Sequence, residues 1–471
     1  METQLPLQPE GVNAQKKSVL NFREKLAYFI ANIGNIPVMM MMNYYLLIFY
    51  TDVVGLDPVA VGTLFLVARV LDGVSDPIMG YIIDHLPRTK MGRFRGYLVM
   101  GAILCSLNFL LVWLGPSLAT AGKLVIAYVS YLLIGWTFDL MDIPLNSMLP
   151  VMSDREKDRN TLAIIKGAGY MLGGVAIVAG VLPLVNLFAT KKDGFHAVVI
   201  GVAAFVALFS ILGTLGIRER IFPMRQEKYK FINIAEILGA RPIVVHFLTT
   251  LITSIGAGVS TGTLVYFFLY ALKRPDLFSV TALSYVLGVI VAVLAAPVLI
   301  RRFGRKVCLV FTLLLSLSGS LVMFLTPTTL PLVFIIVPML ASPAVGMNMV
   351  LSYGIQADNM DFIEWKRGYR AEAAVASMNS FIIKASQGIG SAVGAYLLAF
   401  FHYVPNAETQ AAETIRGFYT INFAIPGIFT LVALLVWIFG YPLTKKVTAQ
   451  MMAELAQLRQ QAVGKNVAVD D

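Results

Sequence analysis

Twelve runs of apolar residues, each long enough to cross a bilayer, alternate with short polar stretches rich in Lys, Arg and Gly. They fall at 26–50, 59–83, 96–115, 124–149, 163–188 and 195–217, then at 243–271, 279–300, 307–326, 331–354, 373–402 and 417–441. Each reads as a helix, because a segment in lipid must satisfy its own backbone polar groups. The longest polar segment, Arg218 to Pro242, divides the spans six and six. The pattern predicts an all-α membrane protein with a short N-terminal segment (1–25), a six-helix bundle (26–217), a central loop (218–242), a second six-helix bundle (243–443) and a polar tail (444–471).

Composition agrees with that reading. Hydrophobic residues make up 58% of the 471-residue chain and the mean hydropathy is +0.75, against about 45–50% apolar content in soluble domains. The net charge of +10 gathers in the short polar stretches, so it points to membrane topology rather than to nucleic acid. About 28 Lys and Arg lie on the side of the N-terminus and about 6 on the other, which predicts that both termini are cytoplasmic. Cys105 and Cys308 each sit in an apolar run, so neither a disulfide framework nor a cysteine metal cluster is expected. Lys16, Lys17, Arg23 and Lys25 precede a first run of about 25 residues without a small-residue cleavage pattern, so it is expected to stay in the membrane.

Charges inside the spans change the picture from topology to chemistry. Arg69, Asp72 and Asp76 share one face of the second span, and a carboxylate at mid-bilayer costs about 2.5–3.5 kcal/mol, so that face must line protein or water. A static lock between helices would need only one of the two carboxylates. The fourth span repeats the design with Asp139, Asp142 and Asn146 on one face, beside Pro144. Counting 1.5 Å per residue puts Asp72 and Asp139 about 16 Å deep, Asp142 about 12 Å and Asp76 about 10 Å, a single layer in which Ser75, Thr137 and Asn146 add neutral oxygens. Such a layer can hold a dehydrated Na⁺ or carry protons. Lys384, about 18 Å inside the eleventh span, needs a carboxylate partner; exchanging it between states would couple the two halves, whereas a permanent pair would only brace them. Gly388, Gly390 and Gly394 read as close helix packing.

Two loops repeat. GYIIDHLPRTKMGRFR (Gly80 to Arg95) follows the second span and PVLIRRFGRK (Pro297 to Lys306) follows the eighth, its counterpart. Their basic residues can meet carboxylates or helix C-termini, so the loops are expected to latch one conformation, with Asp84 and Arg93 as candidate members. DNMDFIEWKRGYRAE (Asp358 to Glu372) is too charged to span and is expected as a surface loop. Its Asp361 and Arg370 are candidates for a closing ion network or simply solvated. The tail, with Val447, Met451, Met452, Leu455 and Leu458 at near-helical spacing, reads as a surface helix or a solvated segment.

At TDVVGLDPVAVGTLFLVARVLDGVSDPIMG (Thr51 to Gly80), MDIPLNSMLP (Met141 to Pro150), DNMDFIEWKRGYR (Asp358 to Arg370) and FIIKASQGIGSAVG (Phe381 to Gly394), the sequence resembles the glycoside-pentoside-hexuronide:cation symporters, a branch of the major facilitator superfamily. The resemblance implies a two-bundle rocker-switch carrier in a bacterial inner membrane that takes up a sugar with Na⁺ or H⁺, as a monomer and without a cofactor. It places the cation on Asp72, Ser75, Asp76 and Asp139 with Asp142 beside them, and the sugar on Asp142, Asn146, Lys166 and Lys384. The melibiose carriers of that family differ: their helix 1 Lys-Asp pair is Asn35-Ile36 here, their helix 4 stacking aromatic is Asn146, their cation-site Asn is Ser75 and their cation-site Thr is Asp139. A glycoside, oligosaccharide or uronide other than a galactoside is thereby left open. With four carboxylates against Arg69 and Lys384, two negative charges remain in excess. At least one carboxyl is therefore expected to carry a proton near neutral pH unless Na⁺ fills the site. A non-transporting protein on the same fold would tolerate neutral residues at Asp72, Asp76 or Lys384, an uncoupled facilitator would not need four buried carboxylates, and an enzyme would need a nucleophile and base that the loops do not offer.

Overall fold

The computed structural model describes residues 20–85, 87–153, 155–220, 239–367 and 372–467. The side chains of Ser75, Asp76 and Asp84, and Arg370 entirely, lie outside the described residues. The first half contains α1 (Phe22–Tyr44), α2 (Pro58–His85), α3 (Arg95–Leu118), α4 (Lys123–Met152), α5 (Glu156–Val185) and α6 (Lys191–Gly216). The second contains α7 (Arg241–Thr261), α8 (Pro275–Phe303), α9 (Arg305–Leu325), α10 (Val333–Ala341 and Pro343–Arg367, broken at Ser342), α11 (Glu372–Phe400) and α12 (Ala412–Tyr419, continuing through Thr420–Ala424 into Ile425–Gly440). The chain is an integral multi-pass membrane protein. Eleven of these helices qualify as membrane spans by length and apolarity among the described residues, and α2, 28 residues long, completes the twelve. Leu107, Leu294 and Phe439, exposed by 60%, 74% and 77%, present side chains that only lipid can cover.

Each half begins with the same device. α1 runs through Leu46–Ile48 into a π turn, Phe49–Val54, and stops at Gly55, whose φ of 78° needs a residue without Cβ. α7 likewise runs through Leu264–Tyr266 into a π turn, Phe267–Ala271. The halves then meet along α2 with α11 and α5 with α8.

The packing is asymmetric along the membrane normal. At the end remote from the termini one apolar core joins both halves, with Phe49, Trp113 and Phe195 of the first in the same cluster as Phe267, Phe334 and Tyr403 of the second. At the end that carries the termini the cores are separate. Tyr28, Leu145 and Met148 lie in a cluster of the first half, and Leu351 with Trp437, and Met360 with Ile363, lie in two clusters of the second. The molecule is shut at the far end and open between the halves at the terminal end.

One expectation is corrected, and for the tail the helical one of its two readings holds. Residues 358–367, expected as the start of a surface loop, are helical: α10 carries on to Arg367. A helix can leave the membrane without ending, because its charged side chains are then hydrated while its backbone bonds stay intact. Arg305 holds this extension through Asp358 at 2.5 Å. The tail is a helix, α13 (Lys445–Val467), and it is docked rather than solvated. Met451 and Leu455 are buried, Trp365 Nε1 donates to Glu454 Oε2 at 2.7 Å, and Lys366 lies 3.6 Å over the Trp365 ring. Donors from Gln450 and then Trp365 hold the Glu454 carboxyl below its ordinary range.

Candidate functional site

The ionic layer is built on α2 and α4. One turn of α2 brings Arg69 Nη1 to 3.3 Å from Asp72 Oδ2. Asp72 reaches across to α4 at Gly135, where a Cβ would stand 2.7 Å from Asp72 Oδ1. Asp139, one turn further along that face of α4, is only 6% exposed. Thr137 accepts a hydrogen bond from Asn108 Nδ2 at 3.4 Å, and that amide also donates to the Ser130 carbonyl at 3.2 Å. Asn108 is a residue of the site that sequence reasoning missed: a lone amide in the apolar run of α3 carries no signal until its neighbour is known. Among the described residues no three His, Cys, Asp or Glu side chains gather as a metal cluster. Ser75 and Asp76, expected in the same layer, have their side chains outside the described residues.

A second group lines the open cavity. Asp142 Oδ2 accepts from Asn146 Nδ2 at 2.7 Å, and Asp142 Oδ1 accepts from the Tyr170 hydroxyl at 3.2 Å. Lys166 Nζ donates to Asn146 Oδ1 and lies 5.6 Å over the Tyr170 ring. Asp142, expected in both the cation and the sugar sets, is bonded here to Asn146 and Tyr170. Lys384 is exposed on α11, and its charge and that of Lys166 both act on Asp142. On α1, Tyr28, Asn32 and Asn35 are fully buried; Tyr28 Oη, Asn32 Oδ1 and both polar atoms of Asn35 have no hydrogen-bond partner among the described residues. They lie behind the cavity wall, with Tyr28 in the apolar core of the first half and Asn32 packed against Gly169 of α5. Tyr170, four residues after Lys166, was also missed, since a tyrosine in an apolar span reads as packing.

The shut end carries a polar latch with no counterpart in the sequence reading. Asp52, in the π turn after α1, accepts from the Tyr270 hydroxyl and from the Tyr403 hydroxyl at 2.7 Å, while its carbonyl accepts from Asn406 Nδ2 at 2.6 Å. Thr51 Oγ1 pairs with the Tyr266 hydroxyl at 2.9 Å. One residue of the first half thus gathers three side chains of the second, two on its carboxylate and one on its carbonyl. Charge-assisted hydrogen bonds are worth about 1.5–3 kcal/mol each, so Asp52→Asn is expected to open this end about tenfold more often. The rate at which a thiol at Leu47→Cys reacts with a maleimide added from that side measures it. An unchanged rate would mean that the apolar core alone keeps the end shut.

The repeated loops are tied within their own halves. Glu219, just past α6, accepts from the backbone N–H groups of Arg93, Phe94 and Arg95 at 2.7, 2.9 and 2.9 Å, and Arg95 donates to the Thr214 and Leu215 carbonyls at the end of α6. In the second half Lys306 donates to the Tyr441 carbonyl at 2.6 Å and Lys445 to the Arg301 carbonyl at 2.9 Å. Basic residues do meet helix C-termini, as expected, but the partners shown brace each half. The Arg93 guanidinium lies 5.2 Å over the Phe94 ring, and Asp361 is half-buried on α10. The Asp84 side chain and Arg370 lie outside the described residues.

Two six-helix halves around a polar cavity, sealed at one end and open at the other, define a membrane carrier. Residues 27–445 match the family model described as MFS/sugar transport protein, and the chain belongs to that family. It is 29% identical to the isoprimeverose transporter of Lactiplantibacillus pentosus, over 97% of this chain and 95% of that one. It is 26% identical to the glucuronide carrier protein homolog of Escherichia coli strain K12, over 93% and 96%. Among solved structures, the D-xylose-proton symporter superposes with a TM-score of 0.62 at 15% identity, covering 90% of this chain and 98% of that one, which shows the shared fold. Fold, family and intramembrane charges together make the protein a secondary transporter of the cation-coupled sugar symporter kind.

Proposed function

We propose that the transported sugar bears an acidic group and that the coupling ion is the proton. The observation that carries the first part is the setting of Lys166. Its ammonium is bonded to the Asn146 amide and makes no ion pair among the described residues, while the nearby carboxylate, Asp142, accepts from Asn146 and Tyr170 instead. Asp142 balances this ammonium only at a distance, without a direct bond, which leaves the charge able to take an anion in the cavity. A uronate or similar acid supplies that anion, with the exposed Asn146 beside it to receive a hydroxyl. The name of the Escherichia coli relative supports an acidic sugar; that of the Lactiplantibacillus relative supports a neutral one.

The proton reading rests on Asp139, a carboxyl buried in the layer that already holds the Arg69–Asp72 pair. A carboxyl that alternates between protonated and ionised forms stores and releases one proton per cycle without a ligand cage. In this reading both termini are cytoplasmic, the open end faces inward, and Asp52 closes the outer end. The test uses membrane vesicles given a pH gradient in Na⁺-free buffer, with methyl β-glucuronide and methyl β-glucoside as probes. Accumulation of the glucuronide alone is expected. Accumulation only after a Na⁺ gradient is added would overturn the proton, and preference for the glucoside would overturn the acid.

A further inference from the structure

Arg69 and Asp72 are threaded between two glycines on different halves of the molecule. A Cβ on Gly388 of α11 would stand 1.7 Å from Arg69 Cγ and 2.6 Å from its Cβ and Cδ, and a Cβ on Gly135 of α4 would stand 2.7 Å from Asp72 Oδ1. The stem of Arg69 therefore lies within the surface of a helix of the opposite half, while its guanidinium is held by Asp72 in its own half at 3.3 Å. The neighbouring small residues of α11 do something else. Gly390 and Gly394 abut the Ile255 and Val259 carbonyls of α7, inside the second half. A cavity of about 10 Å³, no larger than a single water needs, lies beside the pair and is lined by Asn43, Phe65, Tyr131, Gly262 and Ser391.

We infer that Gly388 is the socket of a bolt whose pin is Arg69, joining α2 to α11 in the state seen here and withdrawn when the halves part along that seam. The pin is anchored on a carboxylate of the ionic layer, so neutralising Asp72 loosens the anchor and the ionic state of one half is felt at the other. A methyl group in the socket excludes the pin without touching the charges. The inference rests on the carrier reading only in requiring that the halves move, and is independent of which sugar or ion is carried.

The test is a thiol at Asn43→Cys, in a chain whose buried Cys105 and Cys308 are replaced by Ser. Its reaction with a membrane-impermeant maleimide added from the shut end is timed. Gly388→Ala is expected to speed the reaction several-fold. Arg69→Ala alone removes the pin and should also speed the reaction, while Arg69→Ala in the Gly388→Ala chain adds no further acceleration and, by removing the clash, should react more slowly than Gly388→Ala alone, a non-additivity that general loosening of helix packing does not give. No acceleration in Gly388→Ala or in Arg69→Ala, or a double variant as fast as Gly388→Ala, would overturn the bolt. Should Gly388→Ala fail to reach the membrane, recovery of membrane protein by Arg69→Ala carries the same test, and no recovery overturns it. The readout needs neither substrate nor ion gradient, so failure of the acidic-sugar or proton reading is distinguishable from failure here.

Discussion

Asp72→Asn should abolish uphill accumulation of sugar while leaving the protein in the membrane. The substitution keeps the volume beside Gly135 and removes the charge that holds Arg69, so the span stays apolar enough to insert but the layer can no longer distinguish an occupied from an empty ion site. Coupling between two ligands is typically about 1–3 kcal/mol. Losing it brings the internal sugar concentration down to the external one. The same outcome is expected of Asp76→Asn, whose position lies one helical turn further along α2. Uptake against a gradient at the normal level, with equal protein in the membrane, would remove the layer from the mechanism.

Lys166→Gln should weaken acidic sugars far more than neutral ones. A hydrogen bond to a charged group is worth about 1.5–3 kcal/mol, which corresponds to about a 10- to 150-fold rise in the concentration needed for half-maximal uptake. Asn146 keeps its bond to Asp142 in the variant, since that bond uses the other end of the amide. Neutral glycosides should therefore enter at close to the parent rate. Equal losses for glucuronide and glucoside would make Lys166 a brace for Asn146 rather than the seat of an acid.

What could be read in advance followed from energy that no context can hide. A carboxylate in an apolar span must face inward, so Asp72, Asp139 and Asp142 announce the lining of the cavity from sequence. Length alone makes the twelve spans visible. What could not be read depends on partners distant in the chain. Asp52 sits at the edge of an apolar run, where a carboxylate is ordinarily hydrated, and only the fold brings Tyr270 and Tyr403 to it. Tyr170 and Asn108 look like packing until Asp142 and Thr137 are found beside them. Charge likewise misled at residues 358–367, because polarity marks where a helix leaves lipid and not where it stops.

The π turns that close α1 and α7 bear on the history of the chain. A π turn is a helix that has absorbed one inserted residue, and insertions are rarely gained twice at the same place. A π turn stands at the matching position of both halves, Phe49–Val54 and Phe267–Ala271, as expected if six spans that already carried it were duplicated, whereas a third, Thr420–Ala424 of α12, has no counterpart in α6. That six-span ancestor would have met a second copy of itself through the two turns. Asp52 and Tyr270, now on different halves of one polypeptide, would then descend from equivalent surfaces of a symmetric dimer that diverged into donor and acceptor once they no longer had to be identical.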